Sequence, residues 1–227
     1  AKAVMEAHWL RQEDIRFVWR NRSFNHFDDF LALLSSKKRK NIRAERRKIA
    51  AYGFDIGWQS AAEITDLEWR RIYALYASTY EMRGQRPYLG ESCLRQWGEN
   101  HSQNMLFCTA RQESEILAMA FFFRDGTHLY GRHWGAARDW PGLHFELCYY
   151  RGIDYAISER LALFDAGVQG GHRLLRGFEP EISTSLHYFQ DPRFAEAIRG
   201  YLDRERVAVQ AQYAELLASY GLGDPRT

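Results

Sequence analysis

The chain has 227 residues and a net charge of +2, with 46% apolar, 15% aromatic and 26% charged residues. This composition predicts a soluble protein with a real core, and it excludes a polycation. Apolar runs such as Ile116–Phe123 are too short to cross a bilayer, so no membrane span is expected. The three cysteines form no CxxC pair, which argues against a disulfide framework or zinc knuckle and favours a reducing, cytoplasmic compartment.

The first half of the chain predicts one strand, a long basic helix and then a strand followed by two helices. Ile15–Arg20 is typical of a short strand. Apolar residues at helical spacing predict a single helix over Phe27–Ala50, with Asn25 as its N-cap. The elements expected next are a strand and two helices: Phe54–Trp58, Asp66–Tyr80 and Glu91–Asn100.

The second half begins with three neighbouring strands, which favour antiparallel pairing. They are expected at Met105–Ala110, Ile116–Arg124 and Thr127–Trp134. Gly142–Leu161 is expected to form a helix and Leu163–Ala166 a short strand. Leu174–Ser183 is expected to be irregular or extended, and Phe194–Leu217 is expected to form the closing helix. Without repeats or linkers, residues 1–227 are expected to form one α+β domain, in which residues 1–60 supply a connecting strand and the basic helix.

The basic run Lys37–Lys48 contains eight Lys or Arg residues and one Glu. One interpretation is a site for a phosphate-rich partner, namely tRNA, a lipid-linked phosphate or a coenzyme, with Lys40 and Arg43 among its contacts. The other is a solvated helix end, because basic residues in late turns suit the helix dipole. No aromatic residue is interleaved with the cations, which argues against base stacking.

The segment Arg132–Ala137 (RHWGAA) resembles the [Q/R]-x-x-G-x-[G/A] loop by which N-acetyltransferases of the GNAT superfamily bind coenzyme A pyrophosphate. Arg132, Gly135 and Ala137 are therefore candidates for contacts to a cofactor phosphate, through close backbone approach and a helix N-terminus. His133 and Trp134 lie between them and are candidates for substrate contact. The intervening RDWPG makes this loop longer than the pattern requires.

Polar and aromatic residues crowd the start of the next helix and are candidates for proton transfer: His144, Glu146, Tyr149 and Tyr150. The alternative for Glu146 is a simple helix-dipole partner. His144 and Glu146 have the H-x-E spacing of zinc deaminases, but the required P-C-x-x-C is absent, so no metal site is expected. The absence of G-x-S-x-G disfavours covalent acyl-enzyme chemistry.

The glycine-rich segment Gly167–His172 (GVQGGH) lacks the Lys-Ser/Thr of a P-loop. It is interpreted either as a tight loop or as a loop whose backbone approaches a ligand. In the second case Gln169 and Gly170 contact substrate and His172 faces the pocket, while Arg176 is available for a carboxylate or phosphate.

Several ordered segments resemble the FemAB-like proteins of peptidoglycan biosynthesis or recognition, a group within the GNAT superfamily. These are SFNHFDDFLALLSSKKRKNIRAERR, RPYL, RHWGA, LHFELCYYRGIDYAI, FDAGVQGGHRLLRGFEP and SLHYF. The resemblance implies a GNAT-like acyltransferase fold with a central, mostly antiparallel sheet flanked by helices. Family members are longer, with two GNAT-like halves in tandem, so this chain is expected to be the C-terminal half of a longer protein.

The resemblance also implies an acyl- or aminoacyl-transferase with an amine acceptor, either a peptidoglycan precursor or another small-molecule or peptide amine. Acetyl-coenzyme A or aminoacyl-tRNA would be the donor, with no tightly bound cofactor. Glu146 or His144 would serve as base, with His172 as the alternative, and Tyr149 or Tyr150 would act as acid. A recognition module without catalysis, and a half that is inactive without the other half, are the two remaining hypotheses. The oligomeric state stays open.

Overall fold

A computed structural model describes residues 9–168 and 171–219 of the chain. Within these residues the strands are β1 (Leu10–Arg20), β2 (Asp55–Ser60), β3 (Met105–Gln112), β4 (Glu115–Arg124), β5 (His128–Ala136), β6 (Leu163–Asp165) and β7 (Glu179–His187). The helices are α1 (Phe27–Ala32), α2 (Ser36–Ala50), α3 (Asp66–Glu81), α4 (Glu91–Asn100), α5 (Leu143–Phe145), α6 (Arg151–Ser158) and α7 (Pro192–Ser219). A π-helical turn, Glu146–Tyr150, joins α5 to α6.

The predicted single helix over Phe27–Ala50 is wrong, because the segment forms two helices, α1 and α2. The Asp29 carboxylate accepts the backbone N–H of His26, which is the N-cap of α1 in place of the predicted Asn25. Ser35 then caps α2, since its hydroxyl accepts the Lys38 N–H at 3.4 Å. A side chain that satisfies an orphan N–H favours a new helix start over continuation through the serines.

Contacts divide the chain into two compact units, the larger of which is Trp19–Gly167. Its sheet has the strand order β2-β3-β4-β5-β6. The first three pairings are antiparallel, as the succession of short strands predicts, and the β5–β6 pairing is parallel. The predicted α+β class with a mostly antiparallel sheet is confirmed.

The core of the larger unit lies on both faces of β3 and β4, whose central residues are almost all buried. On one face, α3 and α4 pack Ile72, Leu75 and Leu94 against Phe107 and Phe121. The other face carries the π-helical turn and α6, where Gly152 lies so close to the Phe164 ring that a Cβ would be 2.5 Å from it. The helix that carries the candidate residues is therefore fixed against the sheet.

The smaller unit comprises the described parts of Ala1–Val18 and Val168–Thr227. In it β1 pairs with β7 in antiparallel register from Leu10 opposite His187 to Val18 opposite Glu179. The α7 helix buries Leu202, and its Glu205 accepts a hydrogen bond from Gln12 of β1 at 3.2 Å. That the whole chain is one domain stays a prediction.

Candidate functional site

The helix with the predicted proton-transfer residues is interrupted by one wide π-helical turn. Gly142 begins it in the left-handed conformation (φ 96°), and the backbone N–H of Arg151 bonds to the carbonyl of Glu146, five residues earlier. This turn places the side chains of Glu146 and Arg151 together, whereas in a regular α-helix residues five apart point in different directions. π-Helical turns occur frequently at functional sites.

Glu146 is held in a cluster of charges between this turn and α2. Its Oε1 accepts hydrogen bonds from Nη2 of Arg46 and Nε of Arg151, both at 3.1 Å. The same Arg46 nitrogen donates to Oδ2 of Asp154 at 2.7 Å, and its guanidinium lies 4.5 Å above the Phe27 ring. Two carboxylates and two guanidiniums therefore share one site at which Glu146 is only 3% exposed.

The second oxygen of Glu146, Oε2, is buried and has no hydrogen-bond partner among the described residues. Burial raises the pKa of Glu146, and the attraction of Arg46 and Arg151 opposes that rise without cancelling it. Burial also lowers the pKa of Arg46, but Glu146 and Asp154 raise it by more. A carboxyl group with a raised pKa and an unused lone pair has the properties required of a proton acceptor.

Two further predicted residues flank this cluster. Tyr150 is fully buried, and its hydroxyl donates a hydrogen bond to the carboxylate of Glu45 in α2. The half-buried ring of His144 lies edge-on to Trp134 and to the buried Tyr149, with ring centroids 5.4 Å apart in both pairs. His144, Glu146, Tyr149, Tyr150 and Trp134 thus belong to one region of the larger unit.

His133 belongs to a different environment, because neighbouring residues of a strand point to opposite faces of the sheet. Its ring stacks on Tyr80 at 5.4 Å and lies 4.4 Å from the Tyr76 ring, on the α3 side of β5. Nε2 of His133 lies 2.8 Å from the Thr79 hydroxyl oxygen, and that hydroxyl also lies 2.9 Å from the Tyr76 carbonyl oxygen. Burial lowers the pKa of His133 to about 4.

The strand was expected to end at Trp134, with the rest of the pattern Arg132–Ala137 in a loop, but β5 continues to Ala136, so the loop interpretation is wrong for Gly135. A Cβ at Gly135 would be 2.1 Å from the Leu75 carbonyl oxygen. The close approach that this glycine permits is therefore to the backbone of α3. Ala137 follows the strand and bonds through its N–H to Leu117, and cofactor binding by these residues stays a prediction.

The other predicted residues are divided between α2, the smaller unit and positions outside the described residues. In α2, Lys40 is exposed, and Arg43 pairs with the exposed Asp28 at 2.8 Å. In the smaller unit Arg176 donates to the His172 carbonyl at 3.0 Å, and burial lowers the pKa of His172. Gln169 and Gly170 lie outside the described residues.

Sequence analysis missed three residues of the cluster: Arg46, Arg151 and Asp154. Arg46 was one cation among eight in the basic run, and nothing local distinguished it from its neighbours. The Glu146–Arg151 pair depends on the π-helical turn, which regular helical spacing does not predict.

Comparisons with known proteins agree with this fold. Residues 1–221 match the model of the FemAB-like family, whose description is peptidoglycan biosynthesis or recognition. No curated protein matches the chain. L-PGS from Bacillus licheniformis is 11% identical with a TM-score of 0.58, over 82% of this chain and 63% of that one. The C-terminal domain of a putative lysylphosphatidylglycerol synthetase from Agrobacterium fabrum is 10% identical with a TM-score of 0.55, over 85% of this chain and 66% of that one.

At these identities the likeness to the two solved structures shows the fold alone, and the chain spans less than two thirds of either protein's length. Among the described residues no helix is long and apolar enough to cross a bilayer.

Proposed function

Because the chain belongs to the FemAB-like family, we propose that it takes part in acyl or aminoacyl transfer to an amine acceptor, with a peptidoglycan precursor peptide or an amino acid as that acceptor. The observation that carries the proposal is the buried Oε2 of Glu146, which has no hydrogen-bond partner in the part of the chain that the structure describes, while Oε1 is fixed by two arginines. A donor ester or thioester, from aminoacyl-tRNA or acetyl-coenzyme A, supplies the acyl group. The three cysteines are widely spaced in the sequence and form no CxxC pair, which suits a reducing compartment, and the proposed location is the cytoplasm.

The proposed reaction needs one proton acceptor and one proton donor. The acceptor reaches the site as an ammonium ion, and Glu146 takes a proton so that the nitrogen lone pair can attack the donor carbonyl carbon. The new C–N bond forms as the bond from that carbon to the donor oxygen or sulfur breaks, the nitrogen passes its second proton to the His144 ring, and the proton on Glu146 is later lost to solvent. The leaving group gains one proton, for which His144 is the proposed source because its ring is only half-buried.

Arg46 and Arg151 have a positioning role in this proposal. They hold Oε1, so Oε2 is left for the acceptor, and their attraction keeps the carboxyl group ionisable despite its burial. At 3% exposure Glu146 is reached only when surrounding side chains move. The Arg46 and Arg151 side chains are about one-quarter and one-third exposed, so the cluster meets solvent on their side.

The test is transfer by the purified chain, measured by the mass gained by amine acceptors with each donor. Glu146→Gln is expected to reduce kcat on the order of 100-fold or more, the usual contribution of a general base. Asp154→Asn is the matched control, because it removes the other carboxylate bonded to Arg46 and leaves Glu146 in place. An equal loss in both variants would assign the effect to the structure of the cluster, and full activity of Glu146→Gln would overturn the assignment.

The near-complete burial of Glu146 favours a second candidate function, recognition of a cell-wall precursor without catalysis. A wild-type chain that binds a precursor peptide in calorimetry, but transfers nothing from either donor, would support this alternative. A chain that neither binds nor transfers would support the hypothesis of a half that is inactive alone.

A further inference from the structure

The cations of α2 divide into two sets that face different surroundings. In the first set Arg46 bonds to Glu146 and Asp154, Arg39 bonds to the Leu34 carbonyl at 2.7 Å, and Arg43 pairs with an exposed aspartate. Lys38 also belongs to this set, because it is half-buried. A second set, here termed the basic stripe, consists of Lys37, Lys40, Arg47 and Lys48. All four are exposed, and no ion pair joins any of them to an acid within the described parts of the chain.

The basic stripe is a narrow band of one sign of charge. At 3.6 residues per turn its members fall within about 100° of the helix circumference and within about 16 Å of its length. Ala44 lies among them, and the one acid of the helix, Glu45, is turned inward to the Tyr150 hydroxyl. Lys37 and Lys40 lie three residues apart, where like charges repel, so an external anionic surface would relieve a repulsion that no ion pair among the described residues relieves.

We propose that the basic stripe docks the protein onto the anionic headgroups of a phospholipid bilayer. Three of the four residues are lysines, which act as point charges on flexible stems, whereas specific phosphate and nucleic-acid recognition favours the planar fork of arginine. No aromatic side chain lies among the cations, so a single-stranded RNA would find no stacking platform there. A straight helix with its charges on one side can also bring all of them to a flat surface together.

The docking proposal does not depend on the proposed reaction, because the experiment measures binding without turnover. The full chain is sedimented with vesicles of phosphatidylcholine, either alone or with about one third phosphatidylglycerol. Each Lys or Arg near an anionic membrane contributes a several-fold gain in binding, so Lys37→Gln/Lys40→Gln/Arg47→Gln/Lys48→Gln should reduce binding to the anionic vesicles on the order of 100-fold. A salt concentration near 1 M should release the wild-type chain from the vesicles, because the Debye length at that ionic strength is about 3 Å.

The matched control removes four exposed arginines outside the stripe: Arg70→Gln/Arg86→Gln/Arg193→Gln/Arg204→Gln. It changes the net charge equally and should keep most of the vesicle binding. Glutamine has nearly the helix propensity of lysine, and the stripe residues make no described ion pair, so the stripe variant should melt like the wild type. If the stripe variant melts at a lower temperature than the wild type, the four single substitutions provide a graded series of smaller charge changes.

Three results would overturn the proposal. The first is wild-type chain that stays in solution with anionic vesicles, and the second is equal loss of binding in the stripe and control variants. The third is stripe-dependent binding to an unstructured oligoribonucleotide by a chain that ignores the vesicles, which would assign the stripe to RNA.

Discussion

Replacing Arg46 by methionine is expected to destabilise the protein more at neutral pH than at acid pH. Methionine retains much of the apolar stem that packs over the Phe27 ring, but it removes the charge. Glu146 Oε1 then keeps only Arg151, at 3.1 Å, and Asp154 loses the guanidinium nitrogen that lies 2.7 Å away.

The magnitude follows from the charge pair that is lost. Two unit charges about 4 Å apart interact by about 4 kcal/mol at an effective dielectric constant near 20. The Arg46 side chain is 25% exposed, and Arg151 shares the same carboxylate oxygen, so both screening and redundancy reduce the loss. We therefore expect the free energy of unfolding to fall by about 2 kcal/mol at neutral pH, roughly half the full pair energy.

The pH dependence has a definite sign because burial raises the pKa of Glu146 in the folded protein, with Arg46 as the leading opposing group. A carboxyl group whose folded pKa is raised contributes stability that is present below its unfolded pKa and lost as pH rises through the folded value. Without Arg46 the folded pKa of Glu146 rises further, so the additional loss develops above about pH 4.5. Below that value Glu146 is protonated in both proteins, and the deficit shrinks.

The assay is urea unfolding of the wild type, Arg46→Met and Arg43→Met near pH 4 and near pH 7. Arg43 lies one turn before Arg46, and among the described residues its one ion pair is with Asp28, both side chains being more than half exposed. Its replacement should change stability by less than about 0.5 kcal/mol at either pH. A deficit for Arg46→Met that is the same at both pH values, or no larger than that of Arg43→Met, would refute the reasoning.

Three further predictions concern the packing and protonation of the larger unit. Gly135→Ala should lower stability by about 3 kcal/mol, because its Cβ would meet the Leu75 carbonyl oxygen at 2.1 Å and backbone cannot move aside cheaply; a thermal melt like that of the wild type would contradict this. Tyr150→Phe removes the hydroxyl that donates to Glu45 and should cost about 1 to 2 kcal/mol in urea unfolding, so an unchanged midpoint would be evidence against that bond. His133 should titrate near pH 4 in NMR, because burial disfavours its charged form. The free energy of unfolding should therefore decrease as pH falls from about 6.5 towards 4. A titration midpoint near 6.5 would show an exposed ring.

Local patterns were enough to predict most helices and strands. Glu91–Asn100 has the predicted bounds, and the three central strands differ by two residues or fewer at each end. Apolar periodicity and turn residues act over a few neighbours, so the sequence carries that information directly. The break between α1 and α2 was also locally encoded, by Ser35, but the apolar spacing before it and the charge after it obscured the capping residue.

The sequence also determined which segment is chemically unusual, since the cluster of ionisable and aromatic residues around Glu146 can be seen in its letters. Only the tertiary structure decided how those residues are used. It selected Arg46 from eight similar cations because that one faces Glu146 across the packed helices, and it paired Glu146 with Arg151 through a π-helical turn. It also assigned Gly135 to a helix–strand crossing. Such contacts join residues up to 100 positions apart or depend on a local departure from regular geometry, and neither is recorded in the spacing of residues along the chain.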